Sequence, residues 1–202
     1  WESIKHFSNF DILIHLAAKS YVPSSFENPA SFYNTNTIST VNALELTRIN
    51  KSKLIYFSSY VYGIPNYLPT DETHPTSALN PYTQSKLIGE EICYSYNRDF
   101  SVPVNIVRPF NIYGFGQSDD FLIPNIINQS TFGKVILNDS SPVRDYIYIR
   151  DLIDATILII HSDFTDFQIY NLGSGINISV KDLTKLIAKK IGNNIDISFL
   201  GK

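Results

Sequence analysis

Tyr82 and Lys86 are the residues whose types and spacing most directly suggest chemistry. They lie four residues apart, just after Asn80 and Pro81. Asparagine is a preferred helix N-cap and proline a preferred first helical residue, so the sequence predicts a helix that starts here and carries both side chains on one face. A neighbouring ammonium group lowers the pKa of a phenol, which is about 10 when unperturbed. Such a pair can transfer a proton while an alcohol is oxidised.

A serine hydroxyl would complete this group, and Ser58 and Ser59 follow an apolar run upstream of the predicted helix. The spacing of Tyr82 and Lys86 alone is also compatible with a tyrosine packed at the start of an exposed helix. The two serines could equally do no more than end a strand. At this point both the chemical and the structural interpretations stay open.

The surrounding pattern indicates how these residues would be positioned. Short apolar runs predict strands near residues 11–16, 53–58 and 104–108, and amphipathic stretches predict helices near residues 34–49 and 81–97. Apolar strands that alternate with helices are typical of a parallel sheet covered on both faces, which is half of a doubly wound α/β fold. Ligands of such sheets bind beyond the carboxyl ends of the strands.

After residue 116 the pattern changes to loops and shorter elements. We predict helices near residues 119–130, 150–161 and 180–191, and strands near residues 135–137 and 168–171. The sequence therefore divides into residues 1–116, which carry most of the predicted parallel sheet, and residues 117–202. The later part is predicted to be mostly a smaller substrate-binding region, with elements that return to the first sheet.

Composition excludes some classes of function. The net charge of −3 comes without a basic stripe, which argues against nucleic acid as a partner, and no apolar stretch has the length of a membrane helix. A single cysteine, Cys93, allows no internal disulfide and predicts a reducing, cytoplasmic location. The four histidines and Cys93 lack the spacing of metal ligands, so we expect no metal site. His15 and Cys93 are expected to be core residues.

Besides the Tyr82 and Lys86 pair, six ordered motifs resemble those of one enzyme family. They are residues 11–18 (DILIHLAA), Asn36, residues 54–63 (LIYFSSYVYG), residues 106–114 (IVRPFNIYG), residues 143–147 (VRDYI) and residues 170–175 (YNLGSG). In this order they resemble the extended short-chain dehydrogenases/reductases of the NAD-dependent epimerase/dehydratase family, which modify nucleotide sugars. The resemblance covers residues 11–179 and implies a Rossmann-like fold, with residues 1–116 as the remainder of its dinucleotide-binding domain.

The resemblance implies roles for residues in the first part of the chain. Tyr82 would exchange a proton with a sugar hydroxyl, Lys86 would bind the nicotinamide ribose, and Ser58, five residues before Gly63, would be the third catalytic residue, with Ser59 as the alternative. The residues expected to contact the cofactor, NAD or NADP, are Ala17, Ala18, Asn36, Ser59, Lys86, Pro109 and Phe110.

The resemblance also implies a substrate, a nucleotide-diphosphate sugar of the kind used in polysaccharide biosynthesis. Asn111 would hydrogen-bond the diphosphate and Arg144 would neutralise it, because a guanidinium group suits phosphate oxygens. Leu122 and Tyr146 would lie near the nucleotide. For Arg144 an ion pair with its neighbour Asp145 is the alternative, and Arg108 is expected to be structural. A homodimer is implied, with the helices near residues 34–49 and 81–97 at its axis.

The family opens with a glycine-rich strand, turn and helix that bind the pyrophosphate, and this chain does not contain one. It starts at Trp1 and has no methionine, so we expect a piece of a longer protein that lacks the N-terminal phosphate loop and the C-terminal end. Gly173-Ser174-Gly175 could instead serve as a phosphate loop. It lacks the third glycine at the required spacing.

Three functions remain after these steps. The first is a nucleotide-sugar epimerase or keto-sugar reductase that works by reversible hydride transfer at C4. The second is a nucleotide-sugar 4,6-dehydratase, which in this family carries an Asp-Glu pair where this chain has Ser59 and Tyr60. The third is a non-catalytic protein or fragment that keeps the fold without the phosphate loop.

Overall fold

The computed structural model describes residues 2, 4–162, 166–192 and 195–201. They form two compact units: Trp1–Phe110 with Asp154–Leu172, and Asn111–Ile153 with Gly173–Lys202. The boundary therefore lies at Phe110 rather than at residue 116. A later segment belongs to the first unit because it supplies a strand of that unit's sheet.

The helices and strands alternate over most of the chain. In chain order they are β1 (Ile12–His15), α1 (Val22–Glu27), α2 (Pro29–Asn50), β2 (Lys53–Phe57), α3 (Pro81–Phe100), β3 (Val104–Pro109), β4 (Asn111–Tyr113), α4 (Leu122–Thr131), β5 (Lys134–Leu137), β6 (Val143–Tyr148), α5 (Ile149–His161), β7 (Phe167–Leu172), β8 (Asn177–Ser179), α6 (Val180–Ile191) and β9 (Asp196–Phe199). The predicted α/β class is confirmed.

The first unit is built on a parallel sheet with the strand order β1-β2-β3-β7. Successive side chains of β2 enter different core clusters, because side chains alternate along a strand: Leu54 and Tyr56 pack with Leu44 of α2 and Cys93 of α3, whereas Ile55 packs in the cluster that contains Ile159 of α5. Both faces of the sheet are therefore covered, as its apolar strands require.

Helices α2 and α3 begin in the same way. The Asn28 side chain accepts a hydrogen bond from the Ser31 N–H, the Asn80 side chain accepts one from the Thr83 N–H, and a proline follows each asparagine. This signal was applied to α3 but not to α2. The predicted start of α2 near residue 34 is therefore too late, because the helix begins at Pro29. Asn36 consequently lies inside the helix rather than at its start.

The second unit contains smaller sheets. Strand β6 pairs with β4 in parallel and with β8 in antiparallel, and β5 pairs in parallel with β9. Helix α4 packs on α6. The strands β4, β6, β8 and β9 and the short helix α1 were not predicted. Among the described residues, no helix is both long enough and apolar enough to cross a membrane.

Candidate active site

Tyr82 lies in the first turn of α3 and Lys86 follows one turn later, as the spacing predicts. The Asn80 cap and Pro81 fix the start of the helix, and hence the direction of both side chains. The ring of Phe32, on α2, packs edge-on against the Tyr82 ring. Lys86 is only 3% exposed, which is rare for a lysine and indicates a specific role.

An aromatic residue of the sheet holds Lys86. Its ammonium nitrogen lies 4.4 Å from the centre of the Tyr56 ring, and the Tyr56 hydroxyl donates a hydrogen bond of 3.2 Å to the Lys86 carbonyl. Helix and sheet approach closely here because residue 89 is glycine: a Cβ at Gly89 would overlap the Tyr56 hydroxyl. Burial lowers the pKa of Lys86 to about 8, while Cys93 and Glu90 act in the opposite direction.

The pKa of Tyr82 is raised, not lowered. Burial is the main cause, and a hydrogen bond with the Ser59 side chain opposes it. The expectation that Lys86 lowers the Tyr82 pKa is therefore wrong for this structure. A phenol that keeps its proton at neutral pH is suited to donate one, and the Ser59 hydroxyl is its polar partner.

The two serines after β2 have different surroundings. Ser58 is buried and donates a hydrogen bond of 2.5 Å to the Glu90 carboxylate. Ser59 is the serine whose side chain acts on the Tyr82 pKa. Counting back from Gly63 selects Ser58, with Ser59 as the alternative.

A buried polar network lies next to this pair, and the sequence analysis missed most of it. Arg108, at the end of β3, donates hydrogen bonds of 3.0 and 2.6 Å to Glu90 and one of 2.8 Å to the Tyr62 hydroxyl. Tyr62 in turn donates to the Asn171 side chain, on β7. Arg108 is structural, as expected. An arginine within an apolar strand was the available signal that a buried acid must exist nearby.

Asn36 acts inside the protein. Its amide accepts from the Lys19 N–H and donates to the Lys19 carbonyl and to the Ser85 hydroxyl, at 2.8, 3.1 and 2.8 Å. These bonds hold the segment after β1, which contains Ala17 and Ala18, against α2 and α3. Ala17 is exposed and Ala18 half-buried. Both follow the carboxyl end of β1, where parallel sheets bind ligands.

His15, the last residue of β1, is a core histidine, as expected. It hydrogen-bonds Thr40 at 3.3 Å, and its pKa is lowered to about 4 by burial and by the charge of Lys86.

Pro109 and Phe110 end the first unit's stretch of chain at β3. The Phe110 N–H donates to the Leu172 carbonyl at 2.8 Å, which continues the pairing of β3 with β7. The Phe110 ring packs edge-on against Tyr60, at 5.2 Å between ring centres. The carboxyl ends of β1, β2 and β3 thus carry the alanines, the serines and this aromatic residue.

In the second unit, Asn111, Arg144 and Tyr146 lie on the paired strands β4 and β6. Asn111 is opposite Tyr146 in the register, and its side chain donates to the Asp145 carbonyl at 2.9 Å. The exposed Arg144 guanidinium donates to the Val143 carbonyl, and its charge acts on Tyr146, whose pKa is raised mainly by burial. Leu122 lies elsewhere in the unit, at the start of α4.

Asp145 was missed as an organising residue. Its carboxylate accepts three hydrogen bonds of 2.8 Å, from the N–H and the hydroxyl of Ser174 and from the Gly175 N–H. It therefore holds the 173–175 loop and does not pair with Arg144. These N–H groups are the ones that a phosphate loop would offer to an anion, so the phosphate-loop alternative is wrong in this structure.

The residues of the first unit fit one end of a nicotinamide dinucleotide. Lys86 provides an ammonium group, Tyr82 and Ser59 provide hydroxyls, and the half-exposed Phe110 provides an apolar ring. These groups match the hydroxyls of a ribose and the flat ring of a nicotinamide. Within the part of the chain that the structure describes, no group of three or more histidine, cysteine or acidic residues could bind a metal ion.

The amino-acid sequence matches one protein family and several of its members. Residues 2–173 match the model of the NAD dependent epimerase/dehydratase family. UDP-glucose 4-epimerase 2 of Arabidopsis thaliana is 33% identical over 227 residues, covering 100% of this chain and 65% of that protein. UDP-glucose 4-epimerase GEPI48 of Cyamopsis tetragonoloba is 31% identical and is also covered to 65% of its length. The chain thus spans about two thirds of these relatives.

Solved structures with the same fold include RMD of Pseudomonas aeruginosa, determined with NADPH. It has a TM-score of 0.88 and 28% identity, over 95% of this chain and 69% of that chain. UDP-glucuronic acid 4-epimerase of Bacillus cereus, determined with UDP-glucuronic acid and NAD, has a TM-score of 0.87 and 28% identity, over 95% of this chain and 63% of that chain.

Proposed function

Because the chain belongs to the NAD dependent epimerase/dehydratase family, we propose that the protein of which it is part is a nucleotide-sugar epimerase or keto-sugar reductase acting at C4. The observation that carries this proposal is the position of Tyr82 and of the buried ammonium of Lys86 one turn apart on α3, with the Ser59 side chain close enough to act on the Tyr82 pKa. This group can move a proton to and from a sugar hydroxyl.

Each residue of the group has a separate task. Tyr82 donates a proton to the sugar oxygen or accepts one from it. Ser58, with Ser59 as the alternative, supplies the serine hydroxyl; Ser58 donates to Glu90 in this structure, and Ser59 acts on the Tyr82 pKa. Lys86 binds ribose hydroxyls through its ammonium group. The cofactor, NAD or NADP, supplies hydride acceptance and return when it is bound.

Other residues would border the cofactor. Ala17, Ala18, Pro109 and Phe110 lie at the carboxyl ends of β1 and β3, where small or apolar side chains let a dinucleotide approach the backbone. Asn36 contributes indirectly, because its amide holds the segment that contains the alanines.

The second unit would bind the nucleotide-diphosphate sugar. Arg144 is exposed and positively charged, which suits a diphosphate, and Asn111 and Tyr146 lie opposite each other on the neighbouring strands. Leu122, the first residue of α4, would contact the nucleotide.

A 4,6-dehydratase is disfavoured by the types of the two residues that precede Val61, Ser59 and Tyr60. Elimination of water requires an acid and a base beside the catalytic hydroxyl, and the dehydratases of the family place an Asp-Glu pair there. In this chain those two positions are Ser59 and Tyr60, and neither side chain is a carboxyl group.

We infer a homodimer in which α2 and α3 form the contact. Both helices expose large apolar side chains, including Ile38 and Ile49 on α2 and Tyr94 and Phe100 on α3. Such residues are typical of a helix interface between subunits. Light scattering of the complete protein at micromolar concentration would contradict the dimer if it detected only the monomer mass.

The function is tested by supplying the complete protein with NAD and with UDP-, dTDP-, CDP- and GDP-hexoses, followed by mass spectrometry and sugar analysis. We expect a C4 epimer, or NAD(P)H-dependent reduction of a 4-keto-sugar. Tyr82→Phe should lower turnover at least about a hundredfold without loss of the fold. Accumulation of a 4-keto-6-deoxy sugar would instead identify a dehydratase, and no turnover of any sugar would favour a binding protein.

A further inference from the structure

Glu90 is an acid that the proposed function does not use. It lies four residues after Lys86 on α3, so the two side chains share one face of the helix. Both are buried, with Glu90 only 6% exposed. An acid and a base that are both withdrawn from water at neighbouring positions interact more strongly than an exposed pair, because less solvent screens them.

The carboxylate of Glu90 is fixed in place. Arg108 binds both of its oxygens and Ser58 donates to one of them. These three hydrogen bonds, two of them from one bidentate guanidinium, hold the carboxylate in one orientation. Arg108 is itself held by the Tyr62 hydroxyl. Glu90 is therefore a rigid negative charge one turn from Lys86.

We propose that Glu90 is a positioning residue for Lys86, and that its fixed carboxylate one helical turn away keeps the buried ammonium charged. This inference rests on the proposed role of Lys86 in the function described above.

One other charged group lies in this cluster, the Arg108 guanidinium that is paired with Glu90. The remaining ionisable groups that act on Lys86 or pack against it are neutral at pH 7. On α3, burial raises the pKa of the Cys93 thiol and of the Tyr82 phenol. On β2, burial raises the pKa of Tyr56. On β1, burial lowers the pKa of His15 to about 4, so the imidazole carries no charge.

Among the groups that act on Lys86, Glu90 is therefore the one whose negative charge favours the ammonium form. Burial lowers the pKa of Lys86 to about 8, so the ammonium form is lost as the pH rises through that value. Without the carboxylate the pKa would fall further. The proton would then be lost at a lower pH, and the alkaline decline of activity would begin earlier.

The test is Glu90→Gln in the complete protein, with the Lys86 amine followed by NMR of ¹⁵N-lysine and kcat measured against pH. We expect the Lys86 pKa and the alkaline limb of kcat to move together, down by about one pH unit. Glu90→Asp keeps the negative charge, so the Lys86 pKa and the alkaline limb of kcat should stay close to those of the natural protein. Glu45→Gln, which removes a half-buried acid on α2 that is paired with Arg48, should leave both quantities unchanged.

An unchanged Lys86 titration in Glu90→Gln would overturn the proposal, even if activity fell equally at every pH, since a merely structural role predicts that result. If the single variant does not fold, Glu90→Gln with Arg108→Met removes both buried charges and should show a smaller downward shift, because loss of the Arg108 cation acts in the opposite direction. The NMR titration does not need turnover. If Tyr82→Phe proved fully active, the proposed function would fail while the link between Glu90 and Lys86 could still be measured.

Discussion

The first compact unit holds its candidate residues by buried side-chain contacts, whereas the second presents its candidate residues on strands that are partly exposed. Lys86, Ser58 and Asn36 are each buried and bonded within the first unit. In the second unit Arg144 is exposed, and the residue that is fully bonded is its neighbour Asp145. The same chain therefore contains a preorganised site and an adaptable one.

The difference has a physical reason. Groups that transfer a proton must be held within a fraction of an ångström, and buried partners supply that rigidity at the cost of stability when any partner is lost. A group that binds a charged ligand from solution is exposed and hydrated before binding and must give up that water. A guanidinium is weakly hydrated and can do so at low cost. Substitutions in the two units should accordingly differ in what they damage.

The largest effect is expected for Arg108→Met. This change leaves the buried Glu90 carboxylate without its bidentate partner, which costs about 3–5 kcal/mol of folding stability when a buried ion pair is broken from one side. Urea unfolding of the complete protein measures it. Arg48→Met breaks the exposed pair with Glu45 on α2 and should have little measurable effect. Equal losses in the two variants would contradict the comparison.

A smaller loss is expected for Gly89→Ala. The added Cβ would overlap the Tyr56 hydroxyl, and crowding of this kind costs about 1–3 kcal/mol. Because Tyr56 also holds Lys86, turnover should fall as well.

The control for this effect is Gly192→Ala, where an added Cβ meets no atom within 4 Å and stability should change little. In Tyr56→Phe, the further change Gly89→Ala should be less destabilising than in the natural protein. Thermal unfolding of the four variants tests this. Additive losses would show that the hydroxyl is not the obstacle.

The sequence was sufficient for the features that depend on local rules. Asn80 and Pro81 located the start of α3, and hence the Tyr82 and Lys86 pair, because capping is a local interaction. Asn28 and Pro29 carried the same signal for α2 and were overlooked. The apolar runs located β2 and β3 because a buried parallel strand is apolar on both faces.

Features that depend on long-range packing were not predictable in this way. Whether Ser58 or Ser59 acts on Tyr82 depends on how the chain turns after β2, which counting residues back from Gly63 does not resolve: Ser58 donates to Glu90, and Ser59 acts on the Tyr82 pKa. The hydrogen bond from Ser174 to Asp145 joins residues that are 29 positions apart, and no local spacing rule predicts it. The pKa of Tyr82 depends on burial, which a sequence does not state.

The smallest effect on folding is expected for Arg144→Ala, which tests the exposed residues of the second unit. The guanidinium is exposed and its hydrogen bond goes to the neighbouring Val143 carbonyl, so its loss should change the free energy of unfolding by less than about 0.5 kcal/mol.

Binding should respond differently, because a charge-assisted bond to a diphosphate is worth about 1.5–3 kcal/mol, which corresponds to a loss of roughly tenfold or more in affinity. Titration calorimetry of the complete protein with UDP measures the loss, and Arg144→Lys, which keeps the charge but not the planar fork, should fall between. Asp145→Asn provides the contrast: it weakens the hydrogen bonds to Ser174 and Gly175 and should lower stability as well as binding. An Arg144→Ala variant that unfolds as easily as Arg108→Met would show that the second unit is as preorganised as the first.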